Sequence, residues 1–301
     1  MIERRVDGKT RKDHLDRYIL KRSTKIPSRW GRICTATVQK IHTLRVLLDG
    51  TAEKIYAAAL PALKCDTDSN YVPLNSVDRK FITKFLIGGV FAGQLQNLSN
   101  ILKEITMDAL ERLVHFIRPV RNEQHPLFYD YESLNTLSLW SGSQWIIESL
   151  PSMRLPVESV RGAVKADAFF ETVGSLYHVD YQGPALKPNT LDALIEKFVP
   201  IDGGTFHVKQ KLSEEQMKKL FEKCVVSNKR VRVTFKQEDM KKIGDSTDPI
   251  NYDKYYSKRK VRWQGNEVLF GNEDKKKLEL FISRLDSMHE EWIWSKARLF
   301  S

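Results

Sequence analysis

Apolar and polar residues alternate most regularly in SNKRVRVTFKQ, residues 227 to 237. Successive side chains of a β-strand point to opposite faces, so this period of two predicts a strand with one apolar and one basic face. The apolar face would consist of Val231, Val233 and Phe235. The basic face would consist of Arg230, Arg232, Thr234 and Lys236, three of which (Arg230, Arg232 and Lys236) are candidate partner-binding residues.

Strand-like runs of this kind recur from about residue 134 onward. They are LNTLSL, VESVRG, LYHVDY, TFHVKQ and RVRVTF, which start at residues 134, 157, 176, 205 and 230. Helix-like segments lie between them, namely QWIIESL, ADAFFETVG, NTLDALIEKF and SEEQMKKLFEKCV. Repeated short strand–helix units predict an α/β fold with an irregular βα repeat, a solenoid similar to leucine-rich repeats. A doubly wound sheet usually needs units of roughly 30 residues or more, so it is the less favoured alternative.

Two of these helices have recognisable start signals. Ser213 and Gln216 have the spacing of a capping box, and Leu212 precedes them where a hydrophobic staple residue would pack. Asn189 is predicted to cap TLDALIEKF in the same way. These signals place helices after the third and fourth strands of the array.

Outside the array the pattern predicts a mixture of strands and helices. We expect strands at 42 to 50 and 54 to 64, a helix opening at Ser76 that ends in a strand, and a long helix at 99 to 120. KVRWQGNEVLF, residues 260 to 270, is typical of a hairpin. The last segment, NEDKKKLELFISRLDSMHEEWIW, is predicted to be a helix. The expected domains are a basic helical head, 1 to 41, and a βα repeat recognition domain, 42 to 301.

The composition is that of an ordinary globular protein. The 301 residues are 41% hydrophobic and 29% charged. The apolar run FLIGGVFAG has about half the length that a membrane-spanning helix needs, and the N-terminus lacks the apolar core of a secretory signal. Three widely separated cysteines argue against a disulfide framework and a structural zinc site. We therefore expect a cytoplasmic or nuclear protein that does not interact with membranes.

The net charge of +11 is unevenly distributed. Residues 1 to 32 contain eleven basic and four acidic side chains, and residues 209 to 262 contain sixteen basic and eight acidic ones. A basic head and a basic late segment thus flank a mildly acidic body. Both nucleic acids and acidic proteins are attracted by such a field, so charge alone does not separate these partners.

Sequence motifs for catalysis and cofactor binding are missing. The chain has neither the glycine pattern of dinucleotide sites nor a P-loop, and HEEW at 289 to 292 lacks the second histidine of a zinc-protease helix. His178 and His207 occupy equivalent positions in successive predicted strands, with Asp180 close to the first. They are a conceivable catalytic pair, but polar residues on an exposed sheet face are the simpler interpretation. We expect no cofactor, no metal and no enzymatic activity.

Several phrases of the sequence suggest a family. With the strand HTLRVLLDG, the segments ESLNTLSLW, SLYHVDYQG and KVRWQGNEVLF resemble nematode F-box proteins with a C-terminal FTH-type or F-box-associated region. An F-box-like order of residues is present in the head, although the usual leading Leu-Pro is missing. The order consists of Leu15, Ile19, Leu20, Trp30, Ile33, Cys34 and Val38.

The resemblance implies a non-catalytic adaptor of an SCF-type ubiquitin ligase. Leu15, Ile19, Trp30 and Ile33 would dock on the SCF linker subunit, while the repeat face would bind an unidentified protein substrate. The alternative is an RNA-binding or single-strand-binding protein that uses its basic strand faces and aromatic residues in YYSKRKVRW, such as Tyr255 and Trp263. Nucleic-acid binding through phosphates weakens steeply with salt, which distinguishes the two hypotheses.

Overall fold

A computed structural model describes most of the chain. The described residues are 5–6, 9–10, 22, 24–62, 64, 66–90, 94–98, 100–117, 134–236, 243, 248–263, 266–274, 276–284 and 289–296. Leu15, Ile19 and Leu20, which belong to the predicted F-box-like order, lie outside them. The chain divides into two compact units, Met1–Ser159 with Thr172–Gly174, and Val160–Glu171 with Ser175–Ser301. The predicted boundary after residue 41 falls inside the first unit and stays a prediction.

The described chain contains strands and helices throughout. The strands are β1 (Arg5–Val6), β2 (Lys9–Thr10), β3 (His42–Asp49), β4 (Lys54–Pro61), β5 (Ile82–Gly89), β6 (Lys103–Ile105), β7 (Thr136–Leu139), β8 (Ser159–Gly162), β9 (His178–Tyr181), β10 (Gly204–Lys211), β11 (Val231–Lys236), β12 (Lys258–Arg262), β13 (Glu267–Gly271), β14 (Glu279–Arg284) and β15 (His289–Ser295). The α-helices are α1 (Arg29–Val38), α2 (Gln94–Asn97), α3 (Met107–His115), α4 (Leu150–Met153), α5 (Asp167–Thr172), α6 (Pro188–Lys197) and α7 (Glu214–Ser227).

Thirteen of the strands form a mixed sheet. Their order is β12-β13-β14-β15-β11-β10-β9-β8-β7-β5-β3-β4-β6, and β1 pairs with β2 separately. The α/β class and the alternation of strands and helices from 136 to 236 are confirmed. A solenoid is not shown, because the sheet neither closes nor curls and contains antiparallel as well as parallel pairs. No helix in the described part of the chain is both long and apolar enough to cross a membrane.

In the first unit, β3 is the central strand. It pairs antiparallel with β4 and parallel with β5, and Leu44 lies opposite Ala59 on one side and Phe85 on the other. The six residues from Thr43 to Leu48 are all buried, as expected for a strand covered on both faces. The predicted strands at 42 to 50 and 54 to 64 are therefore confirmed.

In the second unit, α5, α6 and α7 pack beside one another. The side chain of Gln216 on α7 donates to Asp192 on α6 at 2.7 Å, and Thr190 on α6 donates to Glu171 on α5 at 3.1 Å. The helices also reach the sheet, since the ring of Phe170 on α5 contacts that of Tyr181 on β9. Apolar residues of β9 to β11 are buried on this face, which leaves the polar residues of the same strands on the opposite face.

The N-terminus of α7 matches its sequence signal, whereas that of α6 does not. Ser213 accepts from the backbone N–H of Gln216, and the Gln216 side chain accepts from the backbone N–H of Ser213, so the capping box is confirmed. The prediction that Asn189 caps α6 is wrong. Pro188 occupies the first turn, with Lys187 before it and no side-chain cap. Proline is suited to this position because it has no N–H that needs a partner.

We expect Ser213→Ala to destabilise the protein by about 1 kcal/mol, because it leaves first-turn N–H groups of α7 without their acceptor. Urea unfolding followed by circular dichroism measures this change. Ser152→Ala is the matched control, since the Ser152 hydroxyl is exposed and only donates to the Ser149 carbonyl. Equal stabilities of the Ser213 and Ser152 variants would contradict a role for the capping box.

Three predicted helices are wrong or too long. The segment after residue 272 forms the antiparallel strands β14 and β15, in which Trp292 and Trp294 are buried. Two 3-10 turns, Leu74–Ser76 and Arg79–Phe81, precede β5 where a helix from Ser76 was predicted. The helix predicted at 99 to 120 is limited to α3, with β6 before it. The head is also not entirely helical, because β1 and β2 precede α1.

Candidate interaction surfaces

The first candidate surface lies on α1 in the first unit. Trp30 is 69% exposed and Ile33 is 46% exposed. Residues three apart share a face of a helix, so these two side chains form one apolar patch. Ser28 starts the helix by accepting from the Gly31 backbone N–H. The structure thus places two predicted docking residues together on an exposed helix face.

A shallow cleft of about 520 Å³ lies along a different side of α1. Its walls come from the segment before the helix and from one side of α1, and include Ile26, Gly31 and Thr35. Ile26 is itself 49% exposed. A Cβ atom on Gly31 would lie 1.8 Å from the Ile26 carbonyl oxygen, so only glycine permits this close approach. The close approach of Ile26 to Gly31 therefore forms part of the cleft wall, whereas Trp30 and Ile33 do not line the cleft.

The second candidate surface, here called the polar face, is the side of the second unit's sheet opposite its helices. The strand registers create two rows across β9, β10, β11 and β15. The first row is His178, Thr205, Arg232 and Ile293. The second row is Asp180, His207, Thr234 and Glu291. The polar face therefore combines basic, acidic and hydroxyl side chains from four neighbouring strands.

The two histidines of the polar face have different partners. His178 is hydrogen-bonded to the Thr205 hydroxyl through Nδ1, and His207 Nδ1 lies 3.3 Å from the Asp180 carboxylate. Gln182 also donates to Asp180 at 3.0 Å. The prediction that the histidines share a face is confirmed, and Asp180 forms its ion pair with His207. The negative charge of Asp180 nevertheless acts on both rings, and it partly offsets the lowering of each pKa by burial.

Burial changes the proton affinity of both histidines. Desolvation, aided by the positive charge of Arg161, lowers the pKa of His178 to about 4. Desolvation also lowers the pKa of His207, although the carboxylate of Asp180 opposes that change. Burial favours the neutral imidazole because it disfavours the charged form. At neutral pH the histidines therefore add hydrogen-bonding groups to the polar face, not positive charge.

The basic residues predicted on β11 are partly neutralised. Arg230 lies just before the strand, where its backbone N–H and side-chain Nε contact Asp202 at 2.9 and 3.4 Å. Arg232 Nε lies 3.5 Å from the buried Glu291 carboxylate. Lys236 is half-buried and lies opposite His289. The polar face is therefore mixed in charge, and the prediction of a uniformly basic face is corrected.

The opposite side of β11 packs into the core as predicted. Val231, Val233 and Phe235 are all buried. The Phe235 ring lies 4.9 Å from that of Trp292, which in turn contacts Phe221 on α7 edge-on. The alternation in SNKRVRVTFKQ is thus explained by a helix-covered face and a polar face.

Sequence reasoning missed the acidic partners of these residues. The sequence pattern predicts a helix around Glu291. It therefore gives no indication that Glu291 lies on β15, opposite Thr234 of β11. The alternation of Leu278, Leu280 and Ile282 with polar or less buried residues was an available indication that this region forms strands. Asp202 gave no comparable indication, because it lies in the turn before β10.

Comparisons with known proteins do not assign the chain to a family. No family model, no curated protein and no solved structure matches it. Within the described residues, no group of three or more histidine, cysteine, aspartate or glutamate side chains is arranged to hold a metal ion. The geometry of the two surfaces is thus the basis for a functional proposal.

Proposed function

We propose that this protein is a non-catalytic interaction module, acting as a substrate-recognition adaptor of an SCF-type ubiquitin ligase. The observation that supports this proposal best is the exposed pair Trp30 and Ile33 on α1. Large apolar side chains are costly to leave in water, and tryptophan is enriched among the residues that dominate binding energy. In the F-box-like arrangement that the sequence resembles, this helix docks on the SCF linker subunit.

The polar face would bind the protein substrate. It offers side chains of both charges, together with neutral histidines, from four adjacent strands. Protein partners present mixed polar surfaces, whereas a phosphate backbone needs unpaired cations. The ion pairs of Arg230 with Asp202 and of Arg232 with Glu291 therefore favour a protein substrate over nucleic acid. The successive βα units from β8 to β11 also support the proposal that this region is a repeat similar to leucine-rich repeats.

Binding of the purified SCF linker subunit to the full chain tests this proposal. We expect Trp30→Ala to weaken binding at least about tenfold, because it removes an exposed aromatic anchor. Trp263→Ala is the matched control, since Trp263 is 79% exposed and lies in the second unit. Isothermal titration calorimetry at two salt concentrations measures both variants.

Two results would contradict the adaptor proposal. The first is no binding of the linker subunit by the folded native protein. The second is an equal loss of affinity in the Trp30 and Trp263 variants. Binding of oligouridylate that falls steeply with salt, without linker binding, would support the nucleic-acid alternative instead.

A further inference from the structure

Strand β12 lies at one end of the sheet and forms an edge. Among the described residues it pairs only with β13, in antiparallel register from Lys258 opposite Gly271 to Arg262 opposite Glu267. Lys258 to Val261 are all exposed. Alternate residues of an edge strand direct their backbone N–H and C=O groups away from the sheet, where they can pair with another chain. In the described part of the sheet no second strand occupies the outer backbone groups of β12, which therefore offer a ladder to another chain.

Two lysines on this edge have unbalanced charge. Lys258 and Lys260 lie opposite Gly271 and Leu269, neither of which is charged. Within the described part of the chain, no carboxylate lies within ion-pair distance of either lysine. Residues two apart on a strand share a face and are separated by about 7 Å. A second strand with carboxylates at every other position would match this spacing.

The arginines of β12 are occupied differently. Arg259 donates to the Ile243 carbonyl at 2.7 Å and lies over the buried Phe270 ring. Arg262 lies opposite Glu267. Val261, 54% exposed, follows Lys260 on the same face as Arg259. The edge therefore presents lysines on one face and an apolar side chain on the other.

Nearby aromatic residues fit a protein partner better than single-stranded nucleic acid. Proteins that bind single-stranded nucleic acid without sequence preference use several exposed aromatic rings on which the bases stack. Trp263 is exposed, but the Tyr255 ring packs edge-on against Phe221 and its hydroxyl donates to Glu222 at 3.2 Å. Tyr255 is thus engaged by the protein itself. Trp263 remains as a side chain that can pack beside an added strand.

We propose that the β12 edge binds an extended acidic segment of a partner protein, which adds to the sheet as a further strand. The backbone ladder supplies affinity, and Lys258 and Lys260 select carboxylates at alternate positions. Val261 and Trp263 contact the apolar residues that alternate with the carboxylates in the partner segment. This site is separate from the surfaces of the adaptor proposal and does not depend on it.

A fluorescently labelled peptide that alternates glutamate and valine tests the β12 site by anisotropy on the full chain. We expect the double variant Lys258→Glu/Lys260→Glu to bind this peptide at least about tenfold more weakly, because repulsion replaces attraction. Lys276→Glu/Lys277→Glu is the matched control, with the same change of net charge on two exposed lysines before β14. It is expected to bind within about twofold of the native protein.

A second peptide separates strand addition from attraction of charge alone. It has the same sequence with alternate backbone nitrogens methylated, which removes the N–H groups of the ladder, and we expect it not to bind. Equal binding of both peptides, equal effects of the two double variants, or no binding of the unmodified peptide would each overturn the proposal. Displacement of the peptide by oligothymidylate at equal concentration would overturn it in favour of nucleic acid.

Discussion

Replacing Arg284 with methionine is expected to destabilise the protein by about 3 to 5 kcal/mol at pH 7, because it leaves a buried carboxylate without its cation. Arg284 Nε lies 3.7 Å from Glu290 Oε2, and both side chains are less than one-tenth exposed. The other carboxylate oxygen accepts from the Trp292 indole at 2.7 Å. Methionine retains much of the apolar volume, so the loss reports mainly the missing charge. Urea unfolding at pH 7 measures it.

The double variant Arg284→Met/Glu290→Gln is the control for this experiment. Glutamine still accepts from Trp292 but carries no charge, so we expect the double variant to regain most of the lost stability. Burial raises the pKa of Glu290 even with Arg284 present. When a carboxyl group has a higher pKa in the folded protein than in the unfolded chain, the folded protein gains stability as pH falls through that pKa. The deficit of the single variant should therefore shrink on acidification, and a deficit independent of pH would contradict this account.

The buried pair also shows why part of the fold could not be predicted from sequence. Arg284 and Glu290 lie in a segment whose apolar residues fit both a helical stripe and two short strands. Strand pairing favours the two strands over the helix, because β15 pairs with β11 and places Trp292 against Phe235. Such long-range pairing has no local signal. Tertiary context thus overrode the helical pattern.

Elements with strong local signals were predicted well. The strand from Val231 to Lys236, the capping box at Ser213 and the hairpin of β12 and β13 all follow from short-range rules. The prediction that the helix starts at Asn189 is wrong because Pro188 occupies the first turn, where it has no N–H that needs a capping side chain. Local chemistry therefore predicted the identity of these elements better than their exact ends.

The candidate surfaces were predictable only in part. The exposed positions of Trp30 and Ile33 agree with the predicted docking role, but the family and its partner stay a prediction. The positions of His178 and His207 on one face followed from their equivalent places in successive strands. Their partners, Thr205 and Asp180, depended on the register between β9 and β10. A shift of one residue would have moved them to the opposite face, so sequence alone could not assign them.

The register around His178 leads to an expected dependence of stability on pH. The pKa of this histidine is about 4 in the folded protein, compared with 6.5 for an unperturbed side chain. The unfolded chain then binds more protons than the folded one between these values. The folding stability that depends on a neutral His178 is present in full above pH 6.5 and is lost as pH falls toward 4. The difference in pKa corresponds to a loss of stability of about 3 to 4 kcal/mol.

We expect His178→Gln to flatten the stability profile in this window, because glutamine does not titrate but can still hydrogen-bond to Thr205. Urea unfolding at intervals from pH 7 to about pH 4 measures the difference between variant and native protein, so acidic groups that titrate in both cancel. His207→Gln is the matched control on the same face. Its effect is expected to be smaller, since Asp180 partly offsets the desolvation of His207. A native protein and His178 variant with parallel profiles would show that His178 is protonated as easily in the folded state as in the unfolded chain.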